Sequence, residues 1–330
     1  MADINSYPSS LKGFATFVEN CTQKFSWLSL VAMAILPVMI CADVVLRLVG
    51  SGVHGCLEIQ EVLLCLTTFS FMALLQFHDR HMQIDFLYVR FSPAVKRWCD
   101  MTVSASVIIM VGVLAWQSYL SFLKKFGTTS MELYVPLEFY YWIPVAGMAL
   151  TFLVLALQLL RDFVRLLSSG HYFSVILGLA TAAMFFWLPF WYRDCPYEVS
   201  NLVLGLIAFG LLFFFLFIRM PIAWTMSIIG TMGMIAIARN VPAALATVGT
   251  APYSAAANFN LIALPLFVFM GCMILYSGIS NDLFDSANKW IGHLPGGMGM
   301  AGVAGCTGLP LCAATPSPLP LPWVPCLCLK

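Results

Sequence analysis

The chain has 330 residues, a net charge of +1, 61% hydrophobic residues and only 9% charged ones. Soluble domains carry about a quarter charged residues, so most of this chain cannot face water, and the class is a polytopic membrane protein. A charge so close to zero, with no basic patch, excludes nucleic acid or another polyanion as a partner.

The first apolar run begins near Ser26 and continues to about Val49. It starts too far in for a cleavable signal and is long enough to span, so it is expected to stay as a membrane helix. Asp43 and Arg47 lie four residues apart near its outer end and share a face. Ionisable groups at membrane depth are costly and often functional; the plainer alternative is an ion pair whose arginine reaches to the interface. A second span is expected over 60–77, opened by Glu58 and Glu61, one turn apart. Carboxylates there complement the positive end of the helix dipole, and a functional role would require a facing partner from another helix.

The connection FHDRHMQIDF (77–86) sets His81 and Asp85 four residues apart. Ser92 follows as a predicted N-cap, with Pro93 at the first helical position, where its missing N–H costs nothing. Taken alone, this connection reads as a solvated elbow. Further spans are expected over 102–121, 140–160, 173–192 and 199–218, then from Pro221 to Ala238. Arg80, Arg90, Lys96 and Arg97 follow the second span, Arg161 and Arg165 the fourth, and Arg219 the sixth. That bias places these loops and the N-terminus in the cytoplasm, although Lys124 and Lys125 count against it. Tyr140, Tyr141 and Trp142, then Trp187, Trp191 and Tyr192, flank spans as interface anchors do.

In NFNLIALPLFVFMGCMILYSGIS (258–280), Pro265 falls inside an apolar run and frees the carbonyl of Leu261, and Gly271 is a second weak point. Irregular backbone at membrane depth persists only when buried in protein or lining a cavity, and broken helices of this kind bind Na⁺ and anionic substrates in transporters. A simple kink is the other reading. Gly297, Ala301 and Gly305 then recur every fourth residue, a small-residue face that calls for a partner helix. Residues 308–330 instead form a proline–leucine–cysteine string with Lys330 as its sole charge. A reading shifted by one base after about Gly308 permits a small-residue-rich peptide there, so this stretch is expected to be an out-of-frame tail.

No metal or haem centre is expected. Most of the 11 cysteines sit singly in apolar runs, as Cys41, Cys65 and Cys272 do, and no histidine joins the Cys326–Cys328 pair. His54, His78, His81, His171 and His293 all lie at or beyond span ends, whereas a haem anchor needs histidines within spans. No nucleophile–base pair or phosphate loop suggests an enzyme.

The first half resembles the small membrane subunit of TRAP (tripartite ATP-independent periplasmic) transporters. The features that carry the likeness are four spans, Arg47 ending the first, Glu61 opening the second, His81 and Asp85 in the loop, and GTTSMELYVPLEFYYWIPVAGMAL over 127–150. The second half is similar to the start of the large membrane subunit, through RMPIAWTMSIIG (219–230), FNLIALPLFVFMG (259–271), YSGIS (276–280) and GHLPGGMGMAG (292–302). The resemblance implies an all-α inner-membrane protein, N-terminus inside, in which a four-helix small-subunit domain (1–168) precedes a connecting helix (169–198). Residues 199–307 would hold the first helices and one broken-helix hairpin of an elevator-type transport domain, ahead of the tail at 308–330. It further implies Na⁺-coupled uptake of organic acids such as dicarboxylates, delivered by a periplasmic substrate-binding protein, with membrane lipids as the surroundings and no cofactor beyond the coupling ion. By the same resemblance Asn258, Asn260, Leu264 and Pro265 would form a Na⁺ region, and Arg47, Glu61, His81 and Asp85 scaffold or interface positions. Such a chain would lack most of the transport machinery and would not transport alone. A truncated product that inserts and serves only as a scaffold is the alternative.

Overall fold

The computed structural model describes residues 12–50, 52, 54–130, 133–168, 172–194, 201–238 and 241–293, with Gly296, Gly297, Gly299, Met300, Gly302 and Val303 beyond them. Eleven helices are defined there: α1 Lys12–Leu48, α2 Cys56–Phe77, α3 Pro93–Lys124, α4 Glu138–Ser168, α5 Tyr172–Asp194, α6 Asn201–Phe217, α7 Ile222–Ala238, α8 Val241–Ala256, α9 Phe259–Ile262, α10 Leu264–Tyr276 and α11 Ile279–Ile291. The protein is an all-α polytopic membrane protein: α1 to α4 are each long and apolar enough to cross a bilayer. The expected spans at 173–192, 199–218 and 221–238 are present as shorter apolar helices. At 17 residues, α6 and α7 each rise about 25 Å, the lower limit of a span.

Several boundaries differ from the sequence expectation for physical reasons. Helix α1 starts at Lys12, well before the apolar run, because Ala15 and Val18 on its polar-rich first turns pack with Phe77, Val154 and Leu157. Helix α8 is not among the expected elements. Its alanine-rich VPAALATVGTAPYSAA favours helix, but at 16 residues it is too short to register as a span. Ser92 and Pro93 occupy the predicted N-cap and first helical positions of α3, without a hydrogen bond from the Ser92 side chain.

The described chain divides into two compact units. One comprises residues up to Ala32 together with Val62–Ala257. Helix α3 is its hub and packs against α4, α5, α7 and α8. One buried cluster runs through Cys65 and Phe69 (α2), Val107, Met110 and Leu114 (α3), Met148 and Leu155 (α4), Phe185 (α5), Phe215 (α6), Trp224 and Ile228 (α7) and Val248 (α8). Helices from either side of residue 198 therefore share one core. Lipid tails are as apolar as leucine, so the hydrophobic effect does not drive such packing; close approach and interhelical hydrogen bonds do. Both are present. A Cβ on Gly249 would stand 2.8 Å from the Gln117 carbonyl oxygen, so glycine lets α8 lie directly on α3. The Thr102 and Thr181 hydroxyls meet at 3.0 Å between α3 and α5, and Tyr141 stacks on Tyr253 at 4.3 Å between α4 and α8.

The other unit comprises Met33–Glu61 and the residues from Asn258 onward. Helices α9, α10 and α11 succeed one another here, with α10 touching both neighbours. Gly278 adopts φ +81° between α10 and α11, a left-handed geometry that costs a residue bearing Cβ about 1–2 kcal/mol. Gly297 is buried, while Ala301, Gly305 and the string at 308–330 lie outside the described residues.

Candidate functional site

Residues 78–92 fold back over the ends of α2, α3 and α4 and meet the turn between α6 and α7. His81 and Asp85 lie in this connection on irregular backbone, so their four-residue spacing does not place them on one helical face. The elbow is not simply solvated. The His81 ring meets Trp224 of α7 edge-on with centroids 6.0 Å apart, and its Nε2 is buried without a hydrogen-bond partner. Burial pushes the His81 imidazole below its ordinary 6.5, because the charged form loses hydration there.

Asp85 Oδ1 stands 2.8 Å from Arg219 Nε. The Nε–H does not point along that line, so the contact is an ion pair held by proximity rather than a directed hydrogen bond. The Arg219 guanidinium also lies 4.8 Å from the centre of the Tyr88 ring, within range of a cation–π attraction. The Tyr88 hydroxyl donates to both carboxylate oxygens of Asp100, at 2.8 and 2.9 Å. Loss of hydration first, and the Asp100 carboxylate second, push the Tyr88 phenol up to about 12, which keeps it a donor at neutral pH. Arg219 reaches this position from a backbone φ of +72°, and the Ile222 N–H donates to the Met82 carbonyl at 3.2 Å. The α6–α7 turn is thus fastened to the 78–92 connection by one ion pair, one cation–ring contact and one backbone hydrogen bond. Sequence marked Arg219 as a basic loop residue opening RMPIAWTMSIIG (219–230) and did not single out Tyr88.

Next to this junction is a cavity of about 220 Å³ whose walls include Gln76, Asp79, Asp100, Gln158, Arg161, Asp162, Arg219 and Trp224. Gln76 Nε2 donates to Gln158 Oε1 at 2.8 Å. Gln158 Nε2 donates in turn to the Gln76 carbonyl at 2.8 Å and to Asp79 Oδ1 at 3.0 Å. Arg161 Nε pairs with Asp162 Oδ1 at 3.0 Å. The surface of Asp79 is open to the cavity, yet crowding by protein strips enough water to raise its carboxyl above the ordinary 3.8; Arg161 nearby offsets part of this rise.

The second unit holds the other predicted residues. Arg47 Nε donates to Asp43 Oδ2 at 2.8 Å, with Asp43 buried and Arg47 more than half exposed. This is the arrangement of an ion pair reaching out of the apolar layer. Glu61 takes part in interactions of its own. At the interrupted segment, Asn258 caps the four-residue α9, its Oδ1 accepting from the Asn260 N–H at 3.0 Å. The helix stops at Ile262 and resumes at Leu264, so Pro265 sits in the first turn of α10 rather than mid-helix. The Leu261 carbonyl is not left free: the Ala263 N–H turns to it. Helix α10 runs unbroken through Gly271 to Tyr276. Among the described residues no three His, Cys, Asp or Glu side chains converge as metal ligands.

Residues 36–165 match the family model for the DctQ component of tripartite ATP-independent periplasmic transporters, and residues 209–313 match that for the DctM component. The isethionate TRAP transporter permease protein DctMQ of Oleidesulfovibrio alaskensis is 25% identical over 228 residues, 68% of this chain and 33% of that protein. The C4-dicarboxylate TRAP transporter large permease protein DctM of Rhodobacter capsulatus is 29% identical over 102 residues, 31% of this chain and 22% of that protein. The chain therefore spans about a third of the length of the fused relative it matches.

Proposed function

The chain belongs to the TRAP transporter permeases, with DctQ-like and DctM-like segments on one polypeptide, and from that premise we propose that it forms the membrane part of a Na⁺-coupled importer of organic acids. The substrate is an organic anion of the kind its relatives are named for, isethionate or a C4-dicarboxylate, handed over by a periplasmic binding protein. The chain lies in the inner membrane with its N-terminus in the cytoplasm. The observation that carries this reading is the order of the two family segments, joined by a core that α3 shares with α4 and α5 on one side and α7 and α8 on the other. That shared core supports a static scaffold, with Asp85 and His81 at the seam between the segments.

Asn258, Asn260, Leu264 and Pro265 contribute part of one Na⁺ site. Supporting this, the backbone breaks at Ala263 within an apolar stretch and brings an asparagine side chain to the start of α9. Only neutral oxygens are on offer, which suits a weakly held monovalent ion. Uptake into proteoliposomes carrying the full permease, with a Na⁺ gradient and a substrate-loaded binding protein, tests the whole reading. Uptake that ignores Na⁺, or no uptake of any organic acid, overturns it. Asn258→Ala and Asn260→Ala are expected to raise the Na⁺ requirement, and an unchanged requirement removes these residues from the site. Residues 308–330 are read here as an out-of-frame tail. Resequencing the DNA there decides the tail, since a clean read of the proline string rejects it.

A further inference from the structure

The 78–92 connection carries an apolar surface that a segment facing water would not keep. Met82 is 72% exposed, Phe86 70% and Val89 69%, three large side chains within eight residues. A patch of this kind marks an interaction surface, and its depth decides what covers it. The Tyr88 hydroxyl donates to Asp100, and Lys96 Nζ donates to the Val89 carbonyl at 3.2 Å. These bonds pin the turn to the start of α3, whose residues from Met101 through Leu123 carry no charge. The Met82 carbonyl accepts from the N–H of Ile222, the first residue of α7, which is uncharged through Ala238. Two membrane helices thus hold the connection at the level where their uncharged stretches begin. That level is the boundary between lipid headgroups and hydrocarbon.

The acids at this level are already answered: Asp79 by the Gln158 amide, Asp85 by Arg219 and Asp100 by Tyr88. Arg90 is exposed and holds its guanidinium 5.5 Å from the centre of the Phe86 ring. Among the described residues no ion pair engages it. Lys96 lies 5.4 Å from the centre of the Tyr88 ring and has given Val89 only one of its N–H groups. Two cations therefore flank an exposed phenylalanine and valine on a single turn. Basic groups beside apolar side chains, at the rim of the bilayer, match a lipid with an anionic phosphate and acyl chains directly below it.

We propose that the turn over 82–91 lies in the headgroup layer and binds an anionic phospholipid, with Arg90 on its phosphate, Lys96 beside it, and Phe86 and Val89 reaching toward the acyl chains.

The test uses the full 330-residue chain. Amide hydrogen exchange over 82–91 is followed in nanodiscs of phosphatidylglycerol mixed with phosphatidylcholine, and of phosphatidylcholine alone. In detergent, phosphatidylglycerol is titrated and the bound lipid is counted by native mass spectrometry. Slower exchange in the phosphatidylglycerol nanodiscs and a saturable lipid adduct are expected. Arg90→Gln should weaken that adduct about fivefold, the effect of one basic group at an anionic surface. Lys125→Gln, which removes a charge at the opposite end of α3, should leave it unchanged. Phe86→Ser should speed exchange over 82–91 in both lipids. All three positions are exposed, so the variants are expected to fold. Equal retention of phosphatidylcholine, equal weakening by Arg90→Gln and Lys125→Gln, or exchange unaltered by Phe86→Ser overturns the proposal. Protection of 82–91 that follows protein concentration instead of lipid assigns the face to a second copy of the chain, and overturns it as well.

Discussion

Replacing Arg219 by alanine and, separately, by glycine divides what its side chain contributes from what its backbone costs. The ion pair to Asp85 joins side chains that are 40% and 54% exposed, so solvent screening holds it to about 0.5 kcal/mol. The contact with the Tyr88 ring at 4.8 Å adds about 0.5–1 kcal/mol. Arg219→Ala loses both while keeping the strained backbone, so a destabilisation of about 1–1.5 kcal/mol is expected. Arg219→Gly loses the same contacts but relieves the φ of +72°, which costs a Cβ-bearing residue about 1 kcal/mol or more. The glycine variant is therefore expected to be more stable than the alanine variant by about 1 kcal/mol. Denaturant unfolding in micelles, followed by tryptophan fluorescence, measures both, and Trp224 on the next helix lies close enough to the seam to report it. A double-mutant cycle between Arg219→Ala and Tyr88→Leu should return a coupling near the cation–ring value. A glycine variant no more stable than the alanine one, or a coupling of zero, refutes the fastening of the α6–α7 turn to the 78–92 connection.

Gly249→Val drives a branched side chain into the Gln117 carbonyl, which as backbone cannot step aside, and should cost about 1–3 kcal/mol in the same assay. Gly230→Val, where an added Cβ meets nothing within 4 Å, should be nearly neutral. Gly278→Ala forces a Cβ into the left-handed region and is expected to lose about 1 kcal/mol, read as a lower unfolding midpoint. For pH, His81 has a folded value below its ordinary 6.5, so between the two values the unfolded chain binds more protons. Stability therefore falls as pH drops through that window, and His81→Gln should abolish the fall. Asp79 has a folded value raised above 3.8, which gives the opposite sign. Its contribution is present at low pH and lost as pH rises through the raised value, and Asp79→Asn should remove that slope in a stability–pH profile.

The membrane class, the positions of the long spans and the cap at Ser92 were legible in the sequence, because a bilayer imposes length and hydropathy on each helix separately. Motif order carried the family as well. Helix α8 and the early start of α1 escaped, since their residues are held by neighbours such as Gln117 and Phe77 and not by their own apolarity. The interrupted segment was expected at Pro265, and the chain indeed breaks there. The proline, however, opens a helix instead of kinking one, and that depends on where the preceding turn stops.

What composition alone decided is that this chain lives in a membrane and that its ionisable groups collect at helix ends. Only the tertiary structure decided which of them meet. Asp85 finds Arg219 at a separation of more than a hundred residues, and Gln76 is left with one unmet oxygen because Gln158 has already spent its amide on Asp79. Hydropathy acts on each residue where it stands, whereas an ion pair or an orphaned acceptor exists only between residues that folding brings together.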